Sequence, residues 1–212
     1  MIDYNYQANA NISGFLEDVE YEERKNALLE IVEAFKGIGY GIICSFNLFL
    51  RGIVDDFHDF DLLVDIKDIH KVKNIMEIMG AELIEQGGNG YCESDQYLHY
   101  QLGRVDVDII AGFRVVTFNT EILYKFNSDE ISTYTIYEEK ELKIPIVPTE
   151  AMYLLYAMME GWQAKRRYKR LLMAEYLQSQ KLDFPEILRN YLEKPLPGWV
   201  KREIRRLLIT AI

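Results

Sequence analysis

The chain has 212 residues, 49% apolar and 27% charged, with a formal charge of −10. That is the composition of a folded chain with room for one core, or one core plus a helical annex, and it excludes a disordered or low-complexity protein. So acidic a chain offers no general attraction to a polyphosphate, so an anionic substrate must be met locally, by metal ions or a basic patch.

The first residues, "MIDYNYQANANISGFLEDVEYEE", lack a basic n-region and an apolar h-region. No later apolar run approaches the roughly 18 residues that span a bilayer. From Tyr21 to Gly39, Leu28, Ile31, Val32 and Phe35 recur at helical spacing, predicting an amphipathic helix that stops at glycine. "YGIIC" (Tyr40 to Cys44) predicts a short buried strand, and "SFNLFLRG" a short helix capped by Ser45. A loop, "GIVDDFH", then delivers the chain to a strand, "DFDLLVDI". In "KDIHKVKNIMEIMGA" the residues Ile69, Val72, Ile75, Met76 and Met79 share one face, which predicts a helix packed on the sheet.

After Gly87 and Gly88 the period changes. "QYLHYQLG" and "RVDVDIIAGF" alternate as strands, and "TYTIYEEKELKIPIV" predicts a hairpin turning near Glu139 and Lys140. Strands in succession without intervening helices pair antiparallel. Pro148 and Thr149 mark a boundary, beyond which helices are predicted from Thr149 to about Ser179, from Pro185 to Glu193, and from Gly198 to the end. The expected organisation is a mixed α/β domain at residues 1–148 and an all-helical domain at 149–212. Cys44 and Cys92 are far apart and have no metal-ligand spacing, which favours a reducing compartment and a cytoplasmic protein.

Side chains alternate along a strand, so Asp59 and Asp61 project to the same side while Phe60 and Leu62 point to the other. Two like charges that close repel, and a divalent cation resolves the conflict: Mg²⁺ takes carboxylate oxygens, with water and substrate phosphates in its remaining positions. A second pair with the same spacing, Asp106 and Asp108, opens the strand "VDVDII". Were the two strands neighbours, three or four carboxylates would converge as a two-metal centre requires. Upstream, Ser45 stands at a strand-to-helix junction, where free N–H groups and a hydroxyl can hold a phosphate.

The segment "CSFNLFLRGIVDDFHDFDLLVD" resembles the nucleotidyltransferase superfamily of polymerase-beta-like fold. Its signature is a strand ending in Gly-Gly or Gly-Ser, a short helix, a gap of this length, and Asp-x-Asp on the next strand. "VDVDIIAGF" resembles the strand that carries that family's third carboxylate, especially in small uncharacterised members. The resemblance covers about residues 38 to 116 and implies an α+β fold, a nucleotidyltransferase-like mixed sheet flanked by helices with an all-helical C-terminal segment. It also implies transfer of NMP from an NTP to an acceptor hydroxyl, with Mg²⁺ or Mn²⁺ as cofactor. Asp59 and Asp61 would ligate the metal that carries the NTP, and a third aspartate would help bind the second metal and activate the acceptor. "VDII" best matches the family's third strand, which favours Asp108, with Asp106 on the same face as the alternative. Ser45 and Arg51 are the nucleotide-binding candidates near the short helix. Lys165 and Arg166, in "KRRYKR", are those of the helical segment, which in related enzymes often supplies basic residues to the triphosphate. The chain departs from the pattern at Cys44, where the family has glycine and where a Cβ fills space that glycine leaves free for phosphate.

The acceptor expected is a small molecule or a protein side chain in preference to RNA, and no membrane partner is expected. Two other readings use the same residues: a catalytically silent, antitoxin-like binding protein of this fold, or a phosphodiesterase that needs no NTP.

Overall fold

The computed structural model describes residues 19–87, 94–116, 122–137, 141–159 and 164–210. The chain divides into two compact units. One comprises Met1–Phe113 and Phe126–Val147, and the other Arg114–Lys125 and Pro148–Ile212.

The first unit contains α1 (Val19–Ala34), β1 (Tyr40–Ile43), α2 (Cys44–Leu50), β2 (Asp59–Val64), α3 (Ile69–Ile78), β3 (Glu82–Gly87), β4 (Gln96–Leu102) and β5 (Val105–Ala111). After the strands of the second unit, the chain returns with a hairpin that completes the sheet. Numbering the intervening strands β6 (Arg114–Val116) and β7 (Ile122–Lys125), this hairpin is β8 (Ser132–Tyr137) and β9 (Glu141–Ile146). The turn expected at Glu139 and Lys140 lies outside the described residues. The seven strands are ordered β3-β4-β5-β2-β1-β9-β8. β2 runs parallel to β5 and β1 parallel to β9, and the other neighbours are antiparallel.

The alternation read from the sequence is what builds the sheet's core. Phe60, Leu62 and Val64 of β2, with Val107, Ile109 and Ala111 of β5, join one apolar cluster. Leu28, Ile31, Val32 and Phe35 from the first helical segment enter the same cluster, as do Ile69, Val72 and Met76 of α3. Burying each of these large side chains contributes about 1.5–3 kcal/mol, which fixes the register, because a one-residue slip would expose the whole set. The aspartates alternate with this set and therefore belong to the opposite face.

The loop into β2 is pinned from both sides. Phe57 packs against Phe46, Phe49 and Phe60 with ring centroids 4.7, 5.1 and 5.6 Å apart. Buried Arg24 of α1 donates from Nη1 to the Phe57 carbonyl at 2.6 Å and lies over the Phe57 ring. Asn47 of α2 is fully buried, and its Nδ2 donates to the carbonyls of Ile42 and Val147, both at 2.8 Å. This side chain ties the short helix to β1 and to the end of β9, in place of the Ser45 cap expected from the sequence. The N-cap residue is Ile43, which makes no side-chain cap.

The second unit holds the β6–β7 pair and four helices: α4 (Thr149–Met159), α5 (Ala164–Ser179), α6 (Pro185–Leu192) and α7 (Gly198–Thr210). A partly buried polar centre joins three of these helices. Arg170 and the Tyr153 hydroxyl both donate to Glu203 Oε2, at 2.5 and 2.6 Å, and the Arg170 guanidinium lies over the Trp199 ring. No helix among the described residues is long and apolar enough to cross a membrane.

Candidate active site

β2 and β5 are adjacent, parallel and in register, with Asp59 opposite Asp106 and Asp61 opposite Asp108. All four aspartates therefore share one face at the same end of two central strands. Carboxylate oxygens of Asp59, Asp61 and Asp108, one from each, lie within 4.8 Å of one another, and all three residues are partly buried. Asp106 is not part of that group among the described residues. Its side chain is 50% exposed, with Oδ1 at 3.7 Å from His99 Nε2.

Ser45 stands at the edge of the cluster and donates from Oγ to Asp59 Oδ1 at 3.2 Å. It reaches this position because β1 pairs antiparallel with β2, Ile43 opposite Asp61, so the turn that follows β1 opens beside the acidic strand end. The turn is made at Cys44, whose φ is +60°. That is the left-handed region, which glycine enters freely and a residue with a Cβ does not.

β4 supplies two residues that motif reading passed over. The Tyr97 hydroxyl donates to Asp108 Oδ1 at 2.9 Å, and His99 Nδ1 lies 2.7 Å from the same oxygen. The hydrogen bond to Asp108 raises the His99 pKa, against an opposing effect of burial. Burial, and then the charge on Asp108, raises that of Tyr97. A signal for this pair was present in the sequence. β4 and β5 are joined by the two residues Gly103 and Arg104, and so short a turn sets the register that places His99 opposite Asp108.

Arg51 is 5% exposed and donates from Nε to Asn47 Oδ1 at 3.2 Å, which ties its guanidinium into the buried anchor of α2. Lys165 and Arg166 lie on α5 in the second unit, and the side chain of Lys165 is outside the described residues. Arg170, the last of that basic run, is buried in the Glu203 network. His58 faces Asp56 at 3.7 Å and is 79% exposed.

Three hard oxygen donors suit Mg²⁺ or Mn²⁺. Metal–oxygen distances of about 2.1 Å would bring two oxygens of one ion to about 3.0 Å when cis and about 4.2 Å when trans, so the three carboxylates would draw closer around a bound ion.

No protein-family model matches the sequence, and no curated protein matches it. Solved structures do match the fold. A Thermotoga maritima protein provisionally assigned as a nucleotidyltransferase superposes with a TM-score of 0.55 at 15% identity, over 71% of this chain and 93% of the other. ANT(2″)-Ia, solved in complex with adenylyl-2″-tobramycin, superposes with a TM-score of 0.51 at 11% identity, over 86% of this chain and 97% of the other. The chain thus has the nucleotidyltransferase fold, with a mixed sheet in one unit and helices dominating the other.

Proposed function

We propose that this protein is a metal-dependent nucleotidyltransferase that moves NMP from an NTP to an acceptor hydroxyl. The observation that carries this reading is the convergence of Asp59, Asp61 and Asp108 from two parallel, in-register strands of a nucleotidyltransferase fold. Carboxylates at such spacing repel, and a divalent cation is a ligand that relieves them.

Asp59 and Asp61 would hold the Mg²⁺ or Mn²⁺ that carries the triphosphate. Asp108 would complete the cage and face the acceptor hydroxyl. Ser45 is the phosphate-side donor, and Lys165 and Arg166 are the helical domain's candidates for the triphosphate. Arg51, after the end of α2, is the other candidate for the nucleotide, with its Nε held by Asn47 Oδ1. When bound, the metal supplies positive charge toward the phosphate oxygens on which charge develops. The protein's own part is alignment of the attacking oxygen with the α-phosphate, with pyrophosphate leaving in line.

The catalytic domain is taken as residues 1–148 and the helical domain as 149–212. Two cysteines without a framework spacing favour the cytoplasm. A small hydroxylated acceptor is preferred, since one structural neighbour carries an adenylylated aminoglycoside.

One observation favours a second reading, a silent binding or antitoxin-like protein: Cys44 occupies a left-handed turn where the family has glycine. Calorimetric titration of Mg²⁺ with each NTP separates the two. Metal-dependent heat with one or more NTPs supports the enzyme, and its absence with every NTP supports the silent protein. Turnover of a phosphodiester without any NTP would replace both readings with a phosphodiesterase.

A further inference from the structure

β5 presents two aspartates on one face, and the alternation of the strand, without the family resemblance that favours Asp108, does not choose between them. The neighbouring strand β4 does. Tyr97 and His99 both end on Oδ1 of Asp108, at 2.9 and 2.7 Å. An ionised carboxylate can only accept, so His99 Nδ1 carries the proton in that contact. Two donors occupy the lone pairs of Oδ1 and leave Oδ2 as the oxygen open to a cation. The other ring nitrogen of His99 lies 3.7 Å from Oδ1 of the half-exposed Asp106.

We propose that Tyr97 and His99 are positioning residues for the metal cage: they fix Asp108 through Oδ1, present Oδ2 to the ion, and make Asp108 rather than Asp106 the third carboxylate. This rests on the nucleotidyltransferase reading above. Partners of this kind, behind a metal ligand, are typically worth about 10–100-fold in metal affinity or activity. They act by reducing the rotational freedom that a carboxylate on a solvated strand end would otherwise keep.

The test uses Mn²⁺ alone, titrated into the full chain and followed by the electron paramagnetic resonance signal of the free ion. Tyr97→Phe removes one donor. His99→Asn keeps an amide N–H near the position of Nδ1, whereas His99→Gln carries its amide to the position of Nε2. The expected result is that His99→Asn binds Mn²⁺ within about threefold of the parent chain, while His99→Gln combined with Tyr97→Phe weakens it about 10–100-fold. Adding Asp108→Asn to that pair should cost no more than Asp108→Asn alone, because all three act through one carboxylate.

All these variants keep polar or isosteric groups at partly exposed positions, and circular dichroism checks that each is folded. Should the double variant not fold, the Asn and Gln single variants carry the comparison, and equal affinities for the two would overturn the proposal. Parent-like binding by the double variant, or losses that add to Asp108→Asn, would also overturn it and leave the metal site standing. A parent chain that takes up no Mn²⁺ would overturn the metal reading, and this proposal with it.

Discussion

Replacing Cys44 with glycine should leave the protein more stable than replacing it with alanine, although glycine is ordinarily the costlier choice. Among the described residues, Cys44 is the one non-glycine residue with positive φ, at +60°. Left-handed backbone costs an L-residue about 1–2 kcal/mol through the Cβ, and alanine keeps that cost. Glycine removes it but adds about 0.4–1 kcal/mol through the greater freedom of its unfolded chain. Both variants lack the thiol, so whatever it contributes cancels. The balance favours glycine by about 0.5–1 kcal/mol, or about 1–4 °C in melting temperature for a chain of this size. Thermal unfolding followed by circular dichroism measures the difference. An alanine variant that melts at or above the glycine variant would refute the argument, since it would mean that the turn into α2 does not hold a strained Cβ. Cys44→Gly also restores the residue that the nucleotidyltransferase pattern carries here, and tighter Mg²⁺–NTP binding is expected by calorimetry.

Asp61→Asn should abolish nucleotidyl transfer and Mn²⁺ uptake while leaving the melting temperature within a few degrees, because it removes one charge from the cage and no core volume; retained turnover would contradict its assigned role. Asp108→Asn should abolish transfer and weaken Mn²⁺ binding while leaving it measurable, whereas Asp106→Asn, at a half-exposed position outside the cluster, should retain most of both, as metal titration of the two variants side by side would show. Asn47→Ala should destabilise by about 1–3 kcal/mol, read in urea unfolding, because it removes a buried donor from the Val147 carbonyl, one of the two donors on the Ile42 carbonyl, which keeps the Val147 N–H, and the acceptor of the Arg51 Nε bond. Asp68 is held below its ordinary 3.8 first by its hydrogen bond to Lys71, against burial, with help from the Gly39 N–H. A depressed folded pKa gives stability that is full above 3.8 and is lost as pH falls through the folded value. Asp68→Asn should therefore lose less stability than the parent between pH 7 and pH 3, and equal losses would count against the assignment.

The order of strands and helices that carries the acidic motifs is readable because β5 alternates strictly and β2 alternates through Asp61 before its fully buried end. Phe60, Leu62 and Val64, set against Asp59 and Asp61, announce one buried face and one that is partly open at the acidic end of the strand. What the alternation does not encode is which strand lies beside which. The pairing of β2 with β5 is a non-local event, and it brings Asp108 into the cluster. β3 escaped notice for the opposite reason: in Glu82–Gly87 every residue is exposed, so no pattern of burial marks it. The β6–β7 pair is short and bulged between Val115 and Val116, which breaks the period that a strand needs to be seen. The anchoring role of Asn47 has no signal in the sequence, because a polar residue in a short helix looks solvent-facing until the carbonyls it satisfies are known.

The parallel pairing at the middle of the sheet also bears on how the protein folds. Between β2 and β5 the chain makes α3, β3 and β4, so the acidic cluster cannot form from neighbouring residues and comes into being only when a long excursion closes. The unfolded chain thus has no cage to offer, and an ion at 100 times its dissociation constant would add about 2.7 kcal/mol to the folded state alone. Mn²⁺ is therefore expected to slow unfolding and to leave the early steps of refolding unchanged.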